Sequence, residues 1–171
     1  MAATEKTLND AFYETLKDVY YAEKQIVRVL GKSAKAARSN DLKQALETHR
    51  EESTHHVERL EQVFESIGKT ARAKTCEAMK GITTEIEEDL EDFGETSAGD
   101  AVLIGGAQAV EHYEIARYGT LKTWAKQLGM TEAVRLLDET LEEEKKTDAK
   151  LTKIAETMAN PKAGGSQTKA A

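Results

Sequence analysis

Apolar residues recur at steps of three and four along most of the chain, which is the spacing typical of amphipathic helices. The first of these stripes runs from about Thr7 to about Arg38. A tight turn at 39–41 follows and supplies an N-cap for a second stripe, which ends at Gly68. Because this connection is so short, the first two helices are predicted to be antiparallel neighbours.

The second half of the chain repeats this arrangement after a long connection. A shorter apolar stripe at 76–92 lies within the connection, and Gly94 interrupts the pattern after it. Two further long stripes cover about 100–128 and 131–158, on either side of Gly129. Two helical hairpins joined by a long crossover predict an all-α, ferritin-like four-helix bundle with an extra short helix in the crossover.

Length and composition support a single helical domain. Ala, Leu, Glu and Lys dominate the 171 residues, and all four are strong helix formers. Aromatic residues make up only 5% of the chain, and its one proline, Pro161, lies near the C-terminus. We expect the bundle to cover residues 1–159 and the Gly/Ser/Lys/Ala-rich tail at 160–171 to be disordered.

Charge and cysteine content exclude several classes of function. A net charge of −7 makes nucleic acid a poor partner, because a phosphate-binding surface needs a basic face. No apolar run approaches the length of about 18 residues that a membrane span needs, and the N-terminus lacks the apolar core of a signal peptide. The single cysteine, Cys76, excludes an internal disulfide and fits a reducing compartment, where we expect it to be buried in the core. The sequence therefore predicts a cytoplasmic protein without nucleic-acid or membrane partners.

Several ionisable residues lie within the apolar stripes, whereas solvated side chains normally lie on the opposite face of an amphipathic helix. With about 100° of rotation per residue, the direction of each side chain can be measured from the centre of its stripe. The candidate metal ligands on this criterion are Glu23 on the first helix, Glu52 and His56 on the second, Glu111 and Glu114 on the third, and Glu144 and Asp148 on the fourth.

Facing separates these candidates from neighbouring residues of the same type. His55 completes a literal Glu-x-x-His spacing with Glu52, but it points about 140° away from the stripe, so His56 is the better candidate. His49 also faces inward, and we interpret it as a core histidine or a group behind the ligands, although the sequence leaves open which of His49 and His56 is the nitrogen ligand. Most of the acidic run at 142–144 is predicted to be a solvated face.

Height along the bundle gives a second test of the candidates. Residues of an antiparallel helix pair that are equally far from the turn lie at the same height, so the first turn places Glu23 level with about position 56. Reflection through the second turn places Glu111 close to position 148 and Glu114 close to position 144. The inward acids are therefore predicted to lie in one layer, although whether Glu111 or Glu114 is the main ligand stays open.

A layer of buried acids needs neutralisation, because an isolated carboxylate in a dry core is very costly. A lone inward glutamate is often satisfied by a tyrosine, for which Tyr20 and Tyr118 are available, but the whole set at one height favours metal. Two divalent cations would neutralise the layer, and an imidazole adds a nitrogen ligand suited to iron or manganese. The pattern approaches the di-iron scheme of paired Glu and Glu–His ligands, with Asp148 where a second histidine is expected.

Five stretches of the chain resemble the bacterial YciE/YciF family of ferritin-like proteins. The run from Val110 to Leu121 is the most specific of them, and the others begin at Asp18, His49, Val57 and Thr140. The likeness covers roughly residues 6–158. It implies a ferritin-like bundle, a homodimer, a dinuclear metal centre related to that of rubrerythrin, and an association with stress responses, but it implies no defined reaction.

Three functions are compatible with these features. The first is a di-iron stress protein that oxidises iron or consumes oxygen or peroxide, with Tyr20 or Tyr118 as an electron relay and with no catalytic residues assigned. The alternative is a non-enzymatic structural or interaction protein whose metal site is structural or vestigial. The third, mineral storage of iron, needs a hollow shell of many subunits.

Overall fold

The computed structural model describes residues 5–165, and within that range every regular element is a helix. The two hairpins pack side by side, with α2 against α5 and α1 against α4, so the predicted ferritin-like four-helix bundle is confirmed. None of the helices in the described part of the chain is both long and apolar enough to cross a membrane. The elements are α1 (Leu8–Ala36), α2 (Asn40–Ser66), the crossover helix α3 (Glu77–Phe93), α4 (Gly99–Gln127) and α5 (Thr131–Ile154).

The helix ends follow local signals that the sequence contains. Thr7 and Asp10 form a capping box at the start of α1, each satisfying a backbone N–H of the other. The Ser39 hydroxyl caps α2 by accepting a hydrogen bond from the backbone N–H of Leu42. Gly68 and Gly129 have φ of 67° and 72°, a left-handed conformation that is strained for other residues and that ends the preceding helix.

Helical structure continues beyond the predicted end of the domain. After α5 comes a π-helical turn, Ala155–Ala159, and then the short helix α6 (Asn160–Ala163). Pro161 is tolerated there because the first turn of a helix does not need its backbone N–H. The described structure thus includes a short helix at 160–163, within the tail predicted to be disordered, and residues 166–171 of that tail lie outside the described residues.

The apolar core is divided into two parts along the bundle. One part includes Phe12 and Phe64, and the other includes Ile26 and Ile104, with α3 covering this second part through Met79. Cys76 is buried in the second part, as expected. Between the two parts, each long helix carries buried polar side chains instead of apolar ones. The fold thus places a polar layer at the middle of an otherwise apolar interior.

Two adjacent glycines in α4 give opposite predictions for alanine substitution. A Cβ atom on Gly106 would lie 2.5 Å from Cγ1 of Ile86 on α3, whereas one on Gly105 would meet nothing within 4 Å. We expect Gly106→Ala to lower the free energy of unfolding by about 1–3 kcal/mol, because α3 must shift. Gly105→Ala should raise it by about 0.5–1 kcal/mol, because alanine favours the helix. Urea denaturation measures both, and equal stability of the two variants would contradict the close packing of α3 on α4.

Candidate metal centre

Four helices contribute ionisable side chains to the polar layer. Each of these side chains is almost completely removed from solvent, with an exposed fraction of at most 2%. The inward facing predicted for most of the candidate ligands is therefore confirmed. The buried set consists of Glu23 from α1, His49 and His56 from α2, Glu111 and Glu114 from α4, and Glu144 from α5.

One group in the layer combines one histidine with three carboxylates. His49, Glu111, Glu114 and Glu144 each offer a ligand atom, and these atoms all lie within 4.8 Å of one another. Nε2 of His49 is 2.9 Å from Oε1 of Glu111 and 3.8 Å from Oε2 of Glu144. This spacing is short enough for all four side chains to bind a single cation.

A second group lies beside the first and combines one histidine with two carboxylates. Ligand atoms of Glu23, His56 and Glu144 also lie within 4.8 Å of one another. Nδ1 of His56 is 2.8 Å from Oε1 of Glu144 and 3.5 Å from Oε1 of Glu23. The hydroxyl of Tyr118, which is fully buried, donates a hydrogen bond of 2.5 Å to Oε1 of Glu23.

Glu144 belongs to both groups and divides its two oxygen atoms between them. Oε2 faces His49, whereas Oε1 faces His56. The rings of the two histidines are 6.4 Å apart between centroids, with the carboxylate between them. A carboxylate in this position can bridge two cations, one held by each group.

The donor atoms of the layer fit metal ions better than they fit each other. Buried polar atoms in proteins are normally hydrogen-bonded. Contacts such as that between His49 and Glu111 are short but lack hydrogen-bond geometry. Cations would accept these lone pairs, and two divalent ions match the charge of the four fully buried carboxylates when both imidazoles are neutral. The buried atoms without a hydrogen bond include both oxygens of Glu111, Glu114 and Glu144, both ring nitrogens of His49, Nδ1 of His56 and Oε2 of Glu23.

Without metal, the buried carboxyl groups retain protons unusually well. Burial, together with the charge of Glu144, raises the pKa of Glu114 well above its ordinary value of 4.5. Burial likewise raises the pKa of Glu144 to about 7, although His56 opposes this shift. For Glu23, burial opposes ionisation, but the neighbouring His56 outweighs it and lowers the pKa. The layer therefore does not ionise fully in the absence of a cation.

The buried histidines are held in their charged form by the same carboxylates. Burial alone would lower the pKa of each imidazole. For His49, Glu111 and Glu52 outweigh burial and raise the pKa to about 10. For His56, Glu144 and Glu23 do the same and raise the pKa to about 11. A metal ion that binds to these nitrogens must displace protons.

Two of the predicted ligands lie outside both groups. The side chain of Glu52 is 42% exposed, and its Oε2 lies 3.6 Å from Nδ1 of His49, on the outer side of that ring. Asp148 instead accepts a hydrogen bond of 3.0 Å from Gln108 and lies 3.4 Å from the exposed His112. Asp148 follows Glu144 by one turn plus about 40°, and this rotation directs it towards the outer side of α4. A matching height along the bundle was therefore not enough to identify Asp148 as a ligand, because its side chain faces α4 and not the polar layer.

Two residues that the sequence did not select contact the layer. His49 lies in the first group, although it was interpreted as a core histidine or a supporting group; its inward facing, shared with His56, was the available signal. Glu143, assigned to a solvated face, lies 2.9 Å from Nε2 of His56 through Oε2. Only the packing of α5 against α2 brings this carboxylate to the histidine.

The two candidate tyrosines occupy different positions. Tyr118 contacts Glu23 directly within the layer. Tyr20 donates instead to Glu61 at 2.6 Å, away from both groups, and burial together with this carboxylate raises its pKa to about 12. The structure thus separates two residues that were equivalent in the sequence.

The pKa shifts predict how the metal-free protein responds to pH. Glu144 and Glu114 bind protons more tightly when folded, so the stability of the fold falls as pH rises above about 4.5, and the contribution of Glu144 is lost as pH rises through about 7. The histidines add stability below about 6.5 that is lost as pH rises towards 10. We expect the free energy of unfolding in chelator to fall by on the order of 3 kcal/mol between pH 5 and 8, from the shift at Glu144.

Chemical denaturation at several pH values measures the slope of the free energy of unfolding against pH. Glu144→Gln should reduce the slope, because the amide does not titrate while Glu114 and the histidines still do, whereas the exposed Glu139→Gln should leave it unchanged. With saturating Mn²⁺, the slope should reverse, because the metal binds deprotonated ligands. If the stability of the metal-free protein in chelator rises over this pH range, the pKa shifts described above are contradicted.

Comparison with known proteins places the chain in a family. The family described as a domain of unknown function, DUF892, matches residues 7–164. The chain is 49% identical to Protein YciF of Escherichia coli (strain K12) over 160 residues, which cover 92% of this chain and 96% of that protein. The resemblance seen in the sequence is thereby confirmed.

Solved structures agree with this relationship. The crystal structure of the E. coli stress protein YciF superposes with a TM-score of 0.86 and 45% identity, covering 94% of this chain and 99% of that one. YcfI from Rhodopseudomonas palustris, whose description proposes a structural role, has a TM-score of 0.85 and 41% identity, covering 89% and 97%. A protein from Xanthomonas campestris, at 19% identity, shares the fold with a TM-score of 0.69, covering 91% and 95%. The chain therefore belongs to the DUF892 family and is a relative of YciF.

Proposed function

We propose that this protein binds two metal ions in the polar layer and acts as a di-iron carboxylate protein of the bacterial stress response. The observation that supports this most strongly is the position of Glu144, whose two oxygens face two separate groups of unsatisfied donors. An ion pair with Lys or Arg would be the ordinary way to neutralise such acids. Among the described residues, none of the fully buried carboxylates has one.

The ligand sets follow from the two groups. His49, Glu111 and Glu114 would hold the first ion, Glu23 and His56 would hold the second, and Glu144 would bridge them. Carboxylate oxygens with one imidazole nitrogen per ion suit iron, with manganese as the alternative.

The chemistry proposed at this site is the oxidation of iron or the consumption of oxygen or peroxide. The two groups would hold a pair of redox-active ions, which would supply one-electron chemistry towards a small oxidant such as oxygen or peroxide. The protein contributes burial, because apolar side chains close the layer on both sides and exclude bulk water. It also contributes Tyr118, whose hydroxyl is 2.5 Å from Glu23 and is therefore better placed than Tyr20 to relay an electron or a proton.

The cellular setting is proposed from the family. YciF is described as a stress protein, which supports a stress role here, and we propose a cytoplasmic homodimer without nucleic-acid or membrane partners. Mineral storage would require a shell of many subunits, so a dimer found by size-exclusion chromatography with light scattering would exclude it.

Iron loading tests the proposed centre. Chelator-treated protein given Fe²⁺ without oxygen should bind two ions per chain and change its absorbance when oxygen or peroxide is added. Glu144→Ala should lose both ions, because this residue contacts both groups, whereas Glu23→Ala should retain one. The exposed Glu142→Ala is the matched control and should bind two. Failure to bind would contradict the centre, and binding without any absorbance change would contradict the redox role.

A second function, structural rather than enzymatic, is supported by the description of YcfI. On this proposal the fold itself does the work, and the metal site is structural or vestigial. A Glu23→Ala/Glu144→Ala variant would then protect a stressed strain that lacks the protein as well as the wild type does, with the same melting temperature if the site is vestigial. Loss of protection by a variant that remains folded and correctly assembled would favour the redox function.

A further inference from the structure

An arginine, a glutamate and a histidine form a connected chain that leads from the surface of the bundle to the polar layer. Arg59 on α2 donates from Nη1 to Oε2 of Glu143 on α5 at 2.7 Å. The same Oε2 lies 2.9 Å from Nε2 of His56. His56 is fully buried, Glu143 is 30% exposed and Arg59 is 13% exposed, so the chain crosses from solvent to core.

The arrangement of His56 leaves one ring nitrogen for each side. Nε2 points outward to Glu143, and Nδ1 points inward to Glu144 and Glu23. A histidine that binds a metal ion is neutral and has a single ring N–H. Because a carboxylate can only accept, Glu143 favours the form in which Nε2 holds the proton and Nδ1 offers its lone pair to the layer.

Arg59 makes this carboxylate a fixed partner rather than a mobile surface group. Its Nη1 also donates to Oγ1 of Thr140 at 2.7 Å, and its Nη2 donates to Oε1 of Glu139 at 3.0 Å. The guanidinium is thus bound to α5 at three residues, including Glu143. Because Nη1 and Nη2 contact the two oxygens of Glu143, at 2.7 Å and 3.4 Å, the guanidinium holds this carboxylate in a defined orientation.

The other histidine has no comparable support. Glu52 lies 3.6 Å from Nδ1 of His49, beyond hydrogen-bond distance, and its side chain is 42% exposed. Within residues 5–165, no arginine or lysine forms an ion pair with Glu52. The two groups of the layer therefore differ in how firmly their histidines are oriented.

We propose that Glu143, held by Arg59, is a positioning residue that orients His56 and keeps Nδ1 available to the second metal ion. The inference rests on the proposed function, because it concerns the ion held by Glu23, His56 and Glu144. It assigns a role to a residue that belongs to neither group of donor atoms and that contacts His56 on its outer side.

Calorimetric titration of chelator-treated protein with Mn²⁺ tests this role. Glu143→Ala should still bind two ions, but one of them about 10–100-fold more weakly than in the wild type, because the histidine is no longer oriented. Glu142→Ala is the matched control, since it removes the adjacent exposed carboxylate, which is bound by Lys145, and it should bind both ions normally. Glu143→Gln retains the shape and one acceptor oxygen, so its loss of affinity should be smaller.

A second measurement is made on the metal-free protein and does not depend on metal binding. The Nε2–H of His56 should give a slowly exchanging imidazole resonance in nitrogen-15 NMR spectra of the wild type and of Glu142→Ala. It should be absent in Glu143→Ala. If that variant does not fold, judged by circular dichroism, Glu143→Gln carries the test, and wild-type affinity in it would overturn the proposal.

The outcomes separate this inference from the proposed function. A wild-type protein that binds no Mn²⁺ or Fe²⁺ would remove the proposed function and, with it, the role of Glu143. A wild type that binds two ions, beside a folded Glu143→Ala that binds both with unchanged affinity, would overturn the inference alone. Loss of one ion altogether in Glu143→Ala would also overturn it, because Glu143 would then be a ligand.

Discussion

Four carboxylates buried at one level of a helical bundle are the constraint on which the rest of this structure depends. Glu23, Glu111, Glu114 and Glu144 are fully removed from solvent, and the described residues provide no lysine or arginine to pair with them. Burial of a charge is unfavourable unless something compensates it. In the metal-free protein this compensation comes from retained protons and from the two histidines. A pair of cations would replace both.

The remainder of the fold supports this layer. Apolar side chains above and below it keep out bulk water, which strengthens every electrostatic interaction inside. All four long helices contribute, so the layer lies where the two hairpins meet. The crossover helix α3 covers only one part of the core and leaves the other to the bundle itself. Stability and site chemistry are therefore linked through the same few residues.

The layer is asymmetric in a way that matters for its chemistry. His56 is bound on its outer side by Glu143 and Arg59, and its group also contains the carboxylate that Tyr118 contacts. His49 shares its group with three carboxylates, but on its outer side Glu52 lies beyond hydrogen-bond distance. Two ions in such a site would differ in affinity and surroundings. Differences of this kind allow one ion of a pair to be lost or oxidised before the other.

Much of this could be predicted from the sequence, because a helix relates spacing directly to direction. The steps of three and four residues located the long helices, and the rotation per residue identified Glu23, His56, Glu111, Glu114 and Glu144 as inward. Contacts between helices could not be predicted in this way. Glu143 reaches His56 because α5 packs against α2, and Asp148 meets Gln108 because α5 packs against α4, whereas Glu52 stays at the surface beside His49. The sequence by itself determined which residues face the core, and the tertiary structure decided which of them meet, because distances across a bundle depend on packing rather than on spacing within a helix.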